Sequence, residues 1–75
     1  MVKNVKKIGD MVYVDGYTSM AQQSAGEQEI EDVKYKFDED SGEKFPIYKV
    51  GDEWYDGRTG ACHSNKNFMY YIDVD

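Results

Sequence analysis

The chain has 75 residues, of which 15 are acidic and 9 basic, so its formal charge is −6. This length allows one small domain, residues 1–75, with a modest core. The charge argues against direct binding to nucleic acid or to an anionic membrane, because phosphate contacts need lysine and arginine, and Arg58 is the one arginine. Solubility, or a protein partner with a basic surface, suits this charge better.

Several observations predict a cytoplasmic location. The basic N-terminal residues are followed by Gly9 and Asp10 rather than by an apolar run, so no signal peptide is indicated. A single cysteine, Cys62, excludes an internal disulfide and is typical of a reducing compartment. No apolar stretch approaches the roughly 20 residues that cross a bilayer.

The composition and the spacing of apolar residues predict a mainly β fold. Aromatic residues make up 15% of the chain and leucine is absent, whereas helical cores normally rely on Leu and Ala. Apolar residues alternate with polar ones, or form short runs, in segments bounded mostly by glycine and aspartate. We predict strands at residues 11–15, 28–38, 43–50, 53–56 and 68–74.

Two residues predict irregularities in these strands. Ile30 does not follow the alternation of the long second strand, which indicates a β-bulge near Glu31 and Asp32. Pro46 cannot donate a hydrogen bond to a neighbouring strand. The third strand is therefore expected to start irregularly or to lie at the edge of its sheet.

Turn and cap signals complete the outline. Gly51-Asp52 predicts a two-residue hairpin between the third and fourth strands. Ser19-x-x-Gln22 matches a capping box, and Gly26 suits the end of a helix. The sequence from 19 to 25 is therefore either a helix of one or two turns or an irregular loop.

One short pattern occurs twice. FDxxSG at residues 37–42 returns as YDxxTG at residues 55–60. In each copy the aspartate can accept backbone N–H groups from the residues ahead of it, and the glycine suits a positive φ. We predict two equivalent turns, each at the end of a strand.

The order of these elements is that of a small antiparallel SH3-like barrel, and a curled sheet with one short helix is the competing architecture. The segment KIGDMVYVD at residues 7–15 resembles the opening strand of SH3-like barrels, in which Gly-Asp precedes an apolar strand. The resemblance implies a barrel whose groove accepts a peptide.

A second resemblance concerns the segments YKFDEDSGEKFP (35–46), WYDGRTG (54–60) and YYI (70–72). Together they resemble small uncharacterised proteins encoded by bacteriophages. This resemblance implies an accessory gene product that acts inside a bacterial host cell. It implies no functional residue.

No group of residues predicts catalysis or metal binding, so we expect neither enzymatic activity nor a cofactor. Cys62 and His63 are adjacent, and neighbouring strand residues point to opposite faces, which makes joint ligation or activation of the thiol awkward. The acidic stretch 38–43 lacks the ligand spacing of a calcium loop. Residues 57–60 lack the lysine and the following helix of a P-loop.

Acidic residues are the first kind of candidate for partner binding. Along one long strand and its turn they would form a band of carboxylates that engages a Lys/Arg-rich surface, including one that holds DNA or RNA phosphates. A solvated edge that charge protects from aggregation is the alternative. The candidates are Glu29, Glu31, Asp32, Asp38, Glu39 and Asp40, flanked by Glu27 and Glu43.

Aromatic residues are the second kind. A domain this small cannot bury all seven tyrosines, three phenylalanines and one tryptophan on one side of a sheet. Exposed Tyr and Trp rings often anchor partners, and Trp54, Tyr55 and Tyr71 are the candidates. Packing against the short helix or against a second protomer is the alternative.

These observations favour a non-enzymatic protein-binding module. It would act as an accessory inhibitor or adaptor that occupies a surface of a host protein, and nucleic-acid mimicry is the sharpest form of this hypothesis. The alternative is a small-ligand or nucleotide-binding barrel, in which aromatic rings stack a base and Lys34, Lys36 and Arg58 hold phosphates. A third hypothesis is a structural subunit whose edge strand joins a homo-oligomer.

Overall fold

The structure is a computed structural model that describes residues 5–63 and 69–74. Strands dominate it, and one four-residue helix is present. In chain order the elements are β1 (Met11–Gly16), α1 (Ser19–Gln22), β2 (Gly26–Glu29), β3 (Asp32–Asp38), β4 (Glu43–Val50), β5 (Glu53–Asp56) and β6 (Tyr70–Ile72).

The strands form two three-stranded sheets. Sheet A has the order β2-β1-β6 and sheet B the order β3-β4-β5, and all neighbouring strands are antiparallel. The predicted mainly β, antiparallel fold is therefore confirmed. The sheets do not close into a barrel. Among the described residues β5 and β6 form no ladder with each other, and the segment that follows β5 contacts each of them through the isolated bridges Tyr55–Cys62 and Ala61–Tyr71.

The prediction of one long strand over residues 28–38 is wrong. The chain leaves sheet A after β2 and enters sheet B at β3, and Ile30 lies at the crossing. Ile30 exchanges backbone hydrogen bonds with the Gly9–Asp10 segment of the sheet A side, at 2.8 and 2.9 Å. The next residue, Glu31, donates its N–H to the Lys49 carbonyl of sheet B. Two neighbouring peptide groups therefore belong to different sheets.

The predicted irregularity at Glu31 and Asp32 is present at this crossing. Glu31 donates to the carbonyl of Lys49, and Asp32 is the residue in register with the same Lys49. Two residues of the incoming chain thus meet one residue of β4, as in a β-bulge. The extra residue turns the chain and lets Ile30 point fully into the core.

The core lies between the inner faces of the two sheets. Its largest fully buried side chains belong to Tyr48, Ile30 and Ile72. The Tyr48 hydroxyl accepts a hydrogen bond from the Lys6 backbone N–H, which satisfies its one polar atom. The core cluster consists of Val12, Val14, Ile30, Tyr48, Val50, Tyr55, Cys62 and Ile72.

Pro46 does not mark an edge, because β4 is the central strand of sheet B. The register places Pro46 one step beyond the last paired residue of β5, where Gly57 donates to the Pro46 carbonyl at 2.9 Å. The missing proline N–H therefore falls at the end of the β4–β5 ladder. A central strand tolerates proline at this position because β5 ends at Asp56, so the missing N–H does not interrupt a continuing ladder.

The turns follow the sequence signals closely. Gly51 and Asp52 have φ values of 54° and 67°, the pair of positive values that a type I′ hairpin requires. The helix begins one residue earlier than the capping box predicts, since Thr18 is the N-cap and its hydroxyl accepts from the Ala21 N–H. Gly26 belongs to β2 rather than to the helix end.

The closing strand predicted over residues 68–74 is present as the shorter β6. Met69, Asp73 and Val74 lie outside it, and Phe68 lies outside the described residues. In the part of the chain that the structure describes, no helix has the length and apolar character needed to cross a membrane.

Candidate functional site

The outer face of sheet A carries only acidic, aromatic and uncharged side chains. Along β1 the residues Val12 and Val14 point into the core, so the alternate residues point outward. Residues that are directly opposite on neighbouring strands share a face. The register pairs Tyr13 with Glu27 and Asp15 with Tyr71. We call this surface the acidic face, and its members are Tyr13, Asp15, Tyr17, Glu27, Glu29 and Tyr71.

The tyrosines of the acidic face are held in place by one another and by Asp15. The rings of Tyr17 and Tyr71 lie 4.6 Å apart at an angle of 40°. The Tyr71 hydroxyl donates to the Asp15 carboxylate at 3.3 Å. Tyr13 is 45% exposed and Tyr17 63% exposed, so both present much of their surface to solvent. These rings are available to a partner without rearrangement of the sheet.

A shallow recess of about 280 Å³ opens on the acidic face. Tyr13 and Tyr71 form its aromatic walls, and Asp15 and Asp73 contribute carboxylates. Burial, and then the charge of Asp15, raise the pKa of the Tyr71 hydroxyl above its ordinary value. Aromatic walls beside a carboxylate suit an ammonium or guanidinium group.

The charge of sheet A has one sign. Residues 9–33 and 69–74, which contain all three strands, include no lysine or arginine. Glu27 and Glu29 are exposed on the edge strand β2, and neither has an ion-pair partner among residues 5–63 and 69–74. Their carboxylates therefore remain solvated and open to an incoming cation.

The outer face of sheet B contains a second polar arrangement, centred on Arg58. Its guanidinium contacts Asp38 at 2.9 Å and Asp56 at 2.9 and 3.2 Å. The same group lies 3.5 Å over the Phe45 ring. His63 Nε2 lies 3.3 Å from the Asp56 carboxylate. Asp56 is 5% exposed, so these contacts compensate a buried charge.

The carboxyl groups of this arrangement are stabilised as anions. Burial alone raises the pKa of Asp56, but hydrogen bonds from the Arg58 side chain and backbone, and from His63, outweigh it and lower the pKa. The backbone N–H of Asp40 and the Arg58 side chain lower the pKa of Asp38. We interpret the Arg58 arrangement as structural, because each of its charges is satisfied within the chain.

Arg58 also connects the two turns that the repeated pattern predicts. In each turn the glycine N–H donates to the aspartate carbonyl at 2.8 Å, from Gly42 to Asp38 and from Gly60 to Asp56. Each aspartate carboxylate accepts backbone N–H groups ahead of it, and each glycine has a positive φ. The predicted equivalence of the turns is therefore confirmed.

The candidate acidic residues do not form one band. Glu29 lies on the acidic face, and Glu31 and Asp32 lie at the crossing between the sheets. Asp38 is paired with Arg58, and Glu39 and Asp40 lie in the β3–β4 turn of sheet B. The band was predicted along a single strand, and the chain divides that strand between two sheets.

The candidate aromatic residues also separate. Tyr71 lies on the acidic face, and Trp54 is half-buried on sheet B with the Lys34 ammonium 5.0 Å from its ring centre. Tyr55 belongs to the core, where burial, and then the nearby Cys62 and Glu53, raise its pKa to about 12. Its ring is not available to a partner.

Sequence reasoning missed three members of the acidic face: Tyr13, Asp15 and Tyr17. The alternation in MVYVD already predicts that Tyr13 and Asp15 share the side opposite Val12 and Val14. What the sequence did not show is that β6 and β2 flank this strand and bring Tyr71 and Glu27 beside it.

Comparisons with known proteins identify no relative: no family model, no curated protein and no solved structure matches the chain. Within residues 5–63 and 69–74, no three His, Cys, Asp or Glu side chains are placed to hold a metal ion.

Proposed function

We propose that the protein is a non-enzymatic protein-binding module whose acidic face docks on a Lys/Arg-rich surface of a larger protein. One observation carries this proposal: a three-stranded sheet presents exposed tyrosines among carboxylates and contains no basic residue. The proposed role is that of an accessory inhibitor or adaptor, and the proposed setting is a bacteriophage protein that acts inside its host cell.

The carboxylates and the tyrosine rings of this face would contribute to binding in different ways. Carboxylates attract a basic surface at long range and raise the association rate, and they exclude acidic partners. Tyrosine rings give large contact areas at a low cost in side-chain entropy, and they hold cations against their faces. The recess between Tyr13 and Tyr71 would receive one Arg or Lys side chain of the partner.

Nucleic-acid mimicry is the narrower form of this proposal. The carboxylates of Asp15, Glu27 and Glu29 would occupy sites that normally hold phosphates on the partner. Binding of this kind competes with duplex DNA or RNA and weakens as salt concentration rises.

A small polar ligand is the second candidate, and one cavity favours it. A gap of about 250 Å³ opens between the sheets where the barrel is not closed, with Val14 and Tyr70 on one side and Glu53 and Tyr55 on the other. The nucleotide version has less support, because Arg58, which was expected to hold a phosphate, is engaged by two aspartates.

The test uses an octapeptide in which Arg alternates with Gly as a defined basic probe. We expect its titration into the ¹⁵N-labelled protein to shift the amide signals of β1, β2 and β6 and to weaken with added salt. The variant Glu27→Lys/Glu29→Lys should bind the probe about tenfold more weakly or worse, because it reverses two carboxylates of the face.

A matched control makes the charge argument specific. The variant Glu39→Lys/Asp40→Lys changes the formal charge by the same amount, from −6 to −2, but alters the β3–β4 turn of sheet B. It should keep most of the affinity. Equal losses in both variants would mean that net charge alone attracts the probe, and the proposal would be wrong.

Affinity capture from bacterial lysate then addresses the natural partner. A protein retained by the native chain, lost with the Glu27→Lys/Glu29→Lys variant and displaced by duplex DNA supports mimicry. A protein lost with the variant but indifferent to DNA supports binding without mimicry. Amide shifts confined to Val14, Val50 and Tyr70 on adding metabolite mixtures would instead favour the small-ligand candidate.

A further inference from the structure

The outer edge of β3 offers backbone groups to another strand. β3 is an edge strand of sheet B and pairs with β4 on one side. The Pro46 carbonyl points toward the β5 side, so the alternate residues of β4 point toward β3. By the register, every second residue of β3 then directs its N–H and C=O outward, and these are Val33, Tyr35 and Phe37.

Two of these three residues leave their backbone groups open. The Val33 N–H is bonded to the Asp32 side chain at 2.8 Å. For Tyr35 and Phe37, no described residue lies beyond the edge to accept or donate a hydrogen bond. Exposed edges of this kind are the sites at which proteins accept an added strand.

The side chains along β3 differ on its two faces. Tyr35 and Phe37 are 57% and 60% exposed on the face that carries Val33, which itself packs on the core. Two adjacent exposed aromatic rings on one strand are unusual for a surface that stays in water. Lys34 and Lys36, both exposed, lie on the opposite face of the strand, where Asp32 and Asp38 flank them at the two ends. Asp38 is paired with Arg58, and the Lys34 ammonium lies 5.0 Å from the Trp54 ring centre, so Lys36 is the cation nearest to an incoming strand without such a contact.

A second copy of the chain is a poor occupant for this edge. Symmetric antiparallel pairing centred on Tyr35 would place Lys34 opposite the Lys36 of the other copy and Asp32 opposite its Asp38. Like charges directly opposite each other destabilise a strand pair.

We propose that β3 binds an extended acidic segment of another protein by strand addition. Backbone hydrogen bonds to Tyr35 and Phe37 would hold the segment. Its carboxylates would face Lys34 and Lys36, and its apolar side chains would cover the two aromatic rings. This site is separate from the acidic face and selects the opposite charge, so the molecule is able to join an acidic segment to a basic surface.

The test uses the pentapeptide Val-Glu-Val-Glu-Val, which is long enough to pair with residues 33–37 and not with Asp32 or Asp38, and a control pentapeptide in which Lys replaces Glu. With the ¹⁵N-labelled full chain, the Glu peptide should shift the Tyr35 and Phe37 amide signals and slow their hydrogen exchange. The Lys peptide should bind β3 at least about tenfold more weakly, because it faces two lysines. Equal binding of both peptides at β3, or no shift with the Glu peptide, would overturn the proposal.

Variants distinguish the backbone contribution to peptide affinity from the side-chain contribution. Tyr35→Pro removes an outward N–H but no β3–β4 hydrogen bond, so the hairpin should remain paired while the affinity falls about tenfold or more. Tyr35→Ala keeps the N–H and should lose less affinity. Lys36→Glu, which has no effect on the backbone, should weaken the Glu peptide and strengthen the Lys peptide. Unchanged affinity in both Tyr35→Pro and Lys36→Glu would contradict strand addition.

Self-association is the remaining outcome. If the β3 signals shift with protein concentration in the absence of peptide, and sedimentation shows a dimer that Tyr35→Pro dissociates, the occupant is a second copy. That result would overturn the choice of an acidic segment.

Discussion

Both sheets consist of three antiparallel strands, but they differ in how their charged side chains are paired. Sheet B carries both acidic and basic side chains, and on its outer face Arg58 contacts the carboxylates of Asp38 and Asp56. Sheet A contains no basic residue, and its exposed Glu27 and Glu29 have no described partner. The Arg58 arrangement of sheet B pairs its charges within the fold, whereas sheet A leaves its carboxylates at the surface.

This difference separates stability from binding within one small domain. A buried carboxylate such as Asp56 needs its partners, because an unpaired buried charge is costly. An exposed carboxylate on sheet A contributes little to folding, and like charges near one another weaken the fold slightly. We therefore expect substitutions in the Arg58 arrangement to act on stability and those on the acidic face to act on association.

The largest expected effect tests whether the sheets are distinct folding units. Ile30 is fully buried at their crossing, so Ile30→Ala should lower the free energy of unfolding by about 3 kcal/mol, and Ile30→Val by about 1 kcal/mol. Urea unfolding is followed by Trp54 fluorescence for sheet B and by β1 amide signals for sheet A. Transitions that separate in either variant would contradict a shared core.

Removal of the Arg58 contacts should have a smaller effect, confined to sheet B. Arg58→Met leaves Asp56 buried with His63 as its remaining side-chain partner, and we expect a loss of about 1–2 kcal/mol, reduced by the partial exposure of Arg58. Asp38→Asn removes the more exposed of the two pairs and should cost less. A larger loss for Asp38→Asn in urea unfolding would contradict the assignment of Asp56 as the main partner.

The loss of stability in Arg58→Met should depend on pH. Asp56 and Asp38 have lowered pKa values in the folded chain, so their contribution is present above the ordinary value of 3.8 and is lost as pH falls through the folded values. The difference in stability between the native chain and Arg58→Met should therefore shrink between about pH 5 and about pH 3. A difference that stays constant over this range would show that packing on Phe45, rather than charge, is what Arg58 supplies.

The smallest expected effect concerns the acidic face. Glu27→Lys/Glu29→Lys should change the free energy of unfolding by less than about 0.5 kcal/mol, and a small gain is expected because the net charge falls. Thermal or urea unfolding of this variant beside Glu39→Lys/Asp40→Lys measures it. A loss of more than about 1 kcal/mol in the free energy of unfolding would show that these two carboxylates stabilise the fold, which would contradict a role in partner binding alone.

Local signals in the sequence predicted much of the fold. The bounds of β4 and β5 agree with the predicted segments, and Gly51-Asp52 forms the expected hairpin. These features depend on backbone preferences within a few residues. The repeated turns were predicted for the same reason, since each is closed by its own aspartate and glycine.

The failures arise where two distant segments decide the outcome. A strand that changes sheets at Ile30 has the same local pattern as a strand with a bulge, and only the positions of β1 and β4 distinguish them. The contact between Arg58 and Asp38 spans 20 residues and was not predicted. The acidic face needed strand order as well, because Tyr71 and Asp15 are 56 residues apart.

Cys62 provides a chemical probe of local opening in this small domain. Cys62 is the one thiol of the chain, and it is buried. It lies on the segment between β5 and β6 and forms an isolated β-bridge with Tyr55 of β5. A thiol reagent reaches the buried Sγ when this segment opens. The labelling rate, relative to that of the unfolded chain, therefore reports the free energy of this local opening. The same labelling rate, measured with a partner bound to the acidic face, would show whether docking makes opening of the Cys62 segment rarer.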